Sequence, residues 1–209
     1  MLDARLRRLI DPPLDRIGAA LGRRGIGADA VTLAGFLVGA AAMPALAGGH
    51  YGLALAFILA NRLMDGLDGA VARCAGPTDF GGYLDIVCDF LFYSGVVFFF
   101  AAGRPDQALA AAFLVFSFVG TGSSFLAYAV FAAKRGITTE IRGTKSLYYV
   151  GGLTEGTETI LLFVAICLFP DAFAWLAWGF GALCWVTTAA RVTAAARTFR
   201  TVSSWTVSP

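Results

Sequence analysis

Six stretches of mostly apolar residues, approximately 31–48, 51–73, 82–102, 108–134, 148–169 and 172–196, account for most of this chain. A helix needs about 20 such residues to cross a hydrocarbon core of roughly 30 Å, so each stretch reads as a transmembrane helix. The 209 residues are 58% hydrophobic and 14% charged, too oily for a soluble domain of this size. The connections Gly48-Gly49-His50, Gly103–Gln107 and Pro170–Ala172 are short and turn-like, which makes consecutive helices antiparallel neighbours in one bundle. No internal repeat is evident. The first apolar stretch follows basic residues, as in a signal peptide, but is too long for the apolar core of one and lacks a cleavage site, so it reads as a retained span.

The expected fold is therefore an all-α membrane protein with six transmembrane helices in one bundle. Residues 1–30 form a cytoplasmic interfacial segment, 31–198 the transmembrane domain and 199–209 a cytoplasmic tail. In residues 1–24, Leu6, Leu9, Ile10, Leu14, Ile17 and Leu21 recur at helical spacing between arginines. That pattern suits an amphipathic helix lying in the interface, bent or broken near Pro12 and Pro13. A plain basic flank that only sets topology is the alternative.

Lys and Arg concentrate on the cytoplasmic side of membrane proteins. With the N-terminus inside, 15 of the 16 basic residues fall on that side, and Arg104 alone lies outside. Both termini are then cytoplasmic, in a multi-pass protein of a plasma (inner) membrane. No nucleic-acid partner is expected. Cys74, Cys88, Cys167 and Cys184 form no C-x-x-C pair and read as small packing residues.

Against this background, Asp65, Asp68, Asp85 and Asp89 stand out. Positions three or four apart share a helix face, so each pair makes a two-carboxylate edge, and the short connection 74–81 forces the two edges together near the cytoplasmic surface. Ionised carboxylates in a membrane helix are costly, and four together repel, so they need positive charge beyond Arg73. Oxygen-only ligands point to a hard divalent cation, Mg²⁺ or Mn²⁺, with two ions bridged by a shared carboxylate as the fuller version. Such a pair suits a diphosphate ligand. Gly69 and Ala72, one turn beyond the acids, and Gly81 with Gly82 on the facing helix leave room for a nucleotide; close helix packing is the alternative use of small residues.

Residues 65–89 read D-x-x-D-G-x-x-A-R-x₇-G-x-x-x-D-x-x-x-D. This resembles the signature of the CDP-alcohol phosphatidyltransferase family. The six-span layout, the basic N-terminal segment and Gly27–Phe36, "GADAVTLAGF", extend the likeness over nearly the whole chain. Asp29 departs from it, since many members have Asn there, often after Pro. The resemblance implies transfer of a phosphoalcohol group from a CDP-linked donor to a hydroxyl acceptor, with release of CMP. It assigns Asp65, Asp68, Asp85 and Asp89 to two divalent ions, Asp68, Gly69, Ala72, Arg73 and Gly81 to the CDP site, and Asp89 to the catalytic proton transfer. It also implies a homodimer.

The acceptor is less legible. Lys134, Arg142 and Lys145 are placed to hold an acceptor phosphate, as in relatives using glycerol 3-phosphate or inositol phosphate, or they are ordinary cytoplasmic charge. Glu155 and Glu158 would face a wet cavity, either to meet an amine or to pair with Lys134 or Arg191. Arg191, deep in the last span, is a pocket candidate. The leading expectation is an enzyme moving a phosphatidyl group from CDP-diacylglycerol to a small polar alcohol, one possibility being a polyol phosphate such as glycerol 3-phosphate, in phospholipid biosynthesis. The alternatives are a CDP-choline or CDP-ethanolamine type phosphotransferase acting on diacylglycerol and, from another class, a divalent-cation carrier.

Overall fold

The computed structural model describes residues 2–137, 154 and 156–200. Eight helices and two single 3₁₀ turns make up the described residues: α1 (Leu2–Arg23), α2 (Ala28–Ala40), α3 (Ala42–Ala47), α4 (Tyr51–Ala75), α5 (Asp79–Gly103), α6 (Ala108–Lys134), α7 (Gly156–Leu168) and α8 (Phe173–Phe199). Arg142, Lys145, Glu155, the start of the fifth apolar stretch and the end of the tail lie outside the described residues.

Among the described residues, four segments are long and apolar enough to cross a bilayer: Ala28–Ala47, Asp79–Gly103, Pro105–Lys134 and Pro170–Phe199. The first joins α2 and α3 almost without a break. The other two expected spans differ for separate reasons. α4 has the length, 25 residues, but Arg62, Asp65, Asp68 and Arg73 crowd its second half. α7 is apolar, but its 13 residues are shorter than a span. Large apolar side chains such as Leu37, Phe98, Leu109 and Trp175 point outward, giving the surface that lipid would cover.

Inside, α5 stands between α2 and α3 on one side and α6 on the other, α6 runs along α8, and α4 packs on α1, α2 and α7. Phe92, Phe100, Phe163 and Phe173 are fully buried, and the rings of Phe100 and Phe173 stack at 4.1 Å. The connection from α4 to α5 is only Gly76–Thr78, shorter than the sequence suggests, because both helices continue into it. Gly76 ends α4 at φ 96°, a left-handed conformation that a side chain disfavours. Thr78 then caps α5 by accepting from the Gly81 amide at 3.0 Å.

α1 continues through Pro12 and Pro13 unbroken, which corrects the expected break. Its second half lies against α4. Leu14 is buried, and at Gly18 a Cβ would come within 2.8 Å of the Ala70 backbone carbon, so only glycine permits the approach. Residues 12–23 are thus docked on the helix that carries the first two acids.

Candidate active site

The hairpin of α4 and α5 brings the acids together. Carboxylate oxygens of Asp65, Asp68 and Asp85 all lie within 4.8 Å of one another. Ligands of a Mg²⁺ ion lie about 2.1 Å from it and about 3 Å from each other when adjacent, so the three carboxylates would draw closer to share one ion. The donor set is all hard oxygen. Asp68 is buried at 7% exposure and its Oδ2 accepts a 2.7 Å hydrogen bond from the Thr32 hydroxyl of α2. Convergence, donor chemistry and an anchored ligand together fit a divalent cation.

Asp89 is oriented by different neighbours. Its Oδ1 accepts from Arg62 Nη2 at 2.9 Å and its Oδ2 from the Tyr93 hydroxyl at 3.1 Å. Arg62 also lies 3.5 Å from Asp65. The cation among the acids is therefore Arg62, one turn before Asp65 on the same face. Arg73 instead turns to α1, where its Nε and Nη2 both donate to Asp15 Oδ1, at 3.1 and 2.7 Å. By sequence, Arg62 reads only as cytoplasmic charge, and Thr32, Asn61, Tyr93 and Asp15 carry no role. Helical spacing was the available signal for two of them, since Arg62 precedes Asp65 by three and Tyr93 follows Asp89 by four.

The small residues line up along the same edge. A Cβ on Gly69 would touch Arg73 Nη1 at 3.4 Å, and one on Gly81 would meet Asp29 Oδ1 at 3.0 Å. Ala72 is half-buried on α4 beside Arg73. Asp29, the departure from the family pattern, thus sits at the mouth of the α4–α5 hairpin, where the sequence alone gave it no neighbour.

Beside the acids lies a cavity of about 350 Å³ reached by Asp85 and Asp89 from α5, Thr121 from α6, Thr159 from α7 and Arg191 from α8. Arg191 is buried at 8% exposure and donates to the Thr121 carbonyl at 2.9 Å, which aims its guanidinium along this wall. Thr154, bonded to Thr187 at 3.1 Å, adds a further hydroxyl. Of the described acceptor candidates, Arg191 lines the cavity. Lys134 is exposed at the end of α6, and Glu158 is half-buried on α7; neither lines it.

An all-helical membrane bundle with converging carboxylates beside a largely apolar cavity that also presents two carboxylates, threonine hydroxyls and a buried arginine fits a class of integral-membrane enzymes. The chain belongs to the CDP-alcohol phosphatidyltransferase family, whose model matches residues 26–200. It is 55% identical to inner membrane protein YnjF of Escherichia coli over 193 residues, covering 92% of this chain and 94% of that protein. It is 45% identical to the archaetidylinositol phosphate synthase of Methanothermobacter thermautotrophicus over 85 residues, 40% of each chain. Among solved structures, it is similar to the phosphatidylinositol phosphate synthase PgsA1 of Mycobacterium tuberculosis. With CDP-DAG bound, that structure gives a TM-score of 0.72 at 21% identity, covering 88% of this chain and 93% of that one. In complex with manganese and citrate, it gives 0.67 at 23% identity, covering 87% and 88%. The fold is shared with those crystal structures, and the chain is a multi-pass membrane protein and a transferase of this family. Membership sets aside the divalent-cation carrier.

Proposed function

We propose that this enzyme transfers a phosphatidyl group from CDP-diacylglycerol to a small hydroxyl-bearing acceptor, a polyol phosphate, releasing CMP. The observation that carries the reading is the juxtaposition of the Asp65, Asp68 and Asp85 oxygens with a cavity that holds Asp89 at one end and a buried arginine, Arg191, in its wall. The archaetidylinositol phosphate synthase that matches 85 residues of the chain and the phosphatidylinositol phosphate synthase PgsA1 that shares its fold are both named for phosphorylated inositol lipids, which supports an anionic polyol as acceptor.

Asp65, Asp68, Asp85 and Asp89 are assigned to two divalent ions, and the manganese complex of the fold neighbour supports a metal of this kind. Bound there, Mg²⁺ or Mn²⁺ would supply Lewis acidity to the phosphoryl group and neutralise charge on departing CMP. The chain's own groups do the rest. Gly69, Ala72 and Gly81 leave a path for the nucleotide, and Arg73 offers its guanidinium to the donor phosphates in place of the exposed Asp15. Arg191 orients the acceptor through its phosphate, with the hydroxyls of Thr154 and Thr159 available to the polyol. Asp89 takes the proton of the attacking hydroxyl. Most of the acceleration comes from positioning and electrostatics, because a carboxylate beside cations is a weak base.

The same reading keeps six spans, with α4 and α7 as the second and fifth, and both termini and the site on the cytoplasmic side. Residues 1–30 form the interfacial segment, 31–198 the catalytic domain and 199–209 the tail. The exposed Arg16 and Ile17 on α1, opposite its docked face, support a helix lying in the interface. A homodimer is part of the proposal. Lys134, Arg142, Lys145, Glu155 and Glu158 remain as rim candidates for the acceptor.

The test incubates the purified protein and Mn²⁺ with labelled CDP-diacylglycerol and, separately, inositol 1-phosphate, glycerol 3-phosphate, inositol or glycerol, following lipid product and CMP. Product from a phosphorylated polyol is expected. Product only from CDP-choline or CDP-ethanolamine with diacylglycerol would reverse the assignment of donor and acceptor. No CMP with any pair would overturn it.

A further inference from the structure

The most completely built polar arrangement in the bundle surrounds a residue outside the acidic signature. Arg62 lies on α4 with its side chain 16% exposed. Its Nε and Nη2 both donate to Asn61 Oδ1, at 2.9 and 2.6 Å, and its guanidinium carbon sits 5.1 and 5.4 Å from the ring centroids of Phe92 and Tyr93. Asn61 is in turn buried, at 4% exposure, and donates through Nδ2 to the Gly35 carbonyl of α2 at 2.9 Å. From this fixed seat, Arg62 Nη2 reaches Asp89 and Nη1 donates to the Tyr93 hydroxyl at 3.1 Å. Tyr93 in turn donates a hydrogen bond from its hydroxyl to Asp89 Oδ2 at 3.1 Å. The chain of bonds runs from the α2 backbone through Asn61 and Arg62 to the carboxylate, and Tyr93 closes it from the far side.

A carboxylate held on both oxygens by two separate donors cannot rotate without breaking one bond. A guanidinium present only to offset the acids would need neither the tyrosine hydroxyl nor the buried asparagine. Both Asp89 and Tyr93 reach the cavity wall. At Gly156 of α7 a Cβ would lie 3.8 Å from the Tyr93 oxygen, so a small residue stands where a long side chain would press on the hydroxyl.

We propose that Arg62 and Tyr93 are positioning residues that fix the Asp89 carboxylate in one orientation toward the acceptor cavity. The inference rests on the functional reading above, in which Asp89 receives the proton of the acceptor hydroxyl. Neither Arg62 nor Tyr93 is consumed; each holds its hydrogen bond while the proton moves to Asp89 and the new P–O bond replaces the one to CMP.

Tyr93→Phe removes the hydroxyl and keeps the ring against Arg62 and Phe163. With full-length protein, CDP-diacylglycerol and inositol 1-phosphate, kcat is expected to fall about 10- to 100-fold, the range for losing a hydrogen bond to a charged group. Both KM values and the Mn²⁺ affinity read by electron paramagnetic resonance should stay within about twofold. Arg62→Lys keeps the charge but loses the fork, so it should lose kcat nearly as far as Arg62→Met. Restoration of kcat by Lys, an unchanged kcat in Tyr93→Phe, or a loss carried wholly by KM or by metal affinity would overturn the inference.

A second measurement needs no turnover. In metal-free protein, the thermal stabilities of Tyr93→Phe, Asp89→Asn and the double variant should be non-additive, whereas additivity would refute the coupling. Absence of transfer by the wild-type enzyme would instead sink the substrate reading, and with it Asp89's assignment to an acceptor, even if the coupling were measured. The two failures are thus told apart.

Discussion

Replacing Thr32 with valine isolates the anchoring of Asp68. The side chains are nearly equal in volume, so no cavity opens, and what is lost is the 2.7 Å bond from the Thr32 hydroxyl to a carboxylate that is itself only 7% exposed. A hydrogen bond to a charged group contributes about 1.5–3 kcal/mol, and partners of ligating side chains typically govern metal affinity by about 10- to 100-fold. At about 1.4 kcal/mol per factor of ten, the two ranges agree. The expected result for Thr32→Val is Mn²⁺ binding weakened 10- to 100-fold, with Thr32→Ser restoring most of it. Titration of free Mn²⁺ by electron paramagnetic resonance on detergent-solubilised protein reads this directly. The sign carries the argument. If the hydroxyl merely competed with the ion for the carboxylate, valine would tighten binding; unchanged or tighter binding in folded protein would refute the anchoring role.

Three further outcomes are expected. Asp85→Asn removes one of the three converging ligands and should abolish both Mn²⁺ binding and CMP release, checked by the same titration and by a labelled-donor assay. Arg191→Met should raise KM for inositol 1-phosphate at least about tenfold, the loss of a charge-assisted contact, while KM for CDP-diacylglycerol stays nearly constant in steady-state kinetics. Gly18→Val forces a Cβ against the α4 backbone and should cost about 1–3 kcal/mol by overpacking, whereas Asp15→Asn breaks an exposed ion pair and should cost less than about 1 kcal/mol; thermal melts distinguish the two.

Spacing alone pointed to four acids on two facing edges, and the structure brings the oxygens of three of them, Asp65, Asp68 and Asp85, within 4.8 Å of one another. Spacing did not reveal how Asp89 is turned. That depends on Arg62 and Tyr93, which lie at the same intervals as the acids but resemble ordinary membrane-flank and core residues when read singly. The partner of Arg73 was beyond reach for another reason. The Asp15 contact spans 58 positions and exists only because Gly18 lets α1 settle onto α4, a packing event without periodic signature. Apolar length found the four oily spans readily. α4 falls outside that set because Arg62, Asp65, Asp68 and Arg73 lower its hydropathy.

The three-residue join between α4 and α5 has an evolutionary corollary. The two helices it joins carry all four aspartates, whereas Thr121, Thr159 and Arg191 stand on other helices across the cavity. Mutations that remodel the opposite wall can accumulate without dislodging the carboxylates. On the proposed reading, a lineage built on this plan would be free to change the alcohol it accepts while its carboxylates stay in place.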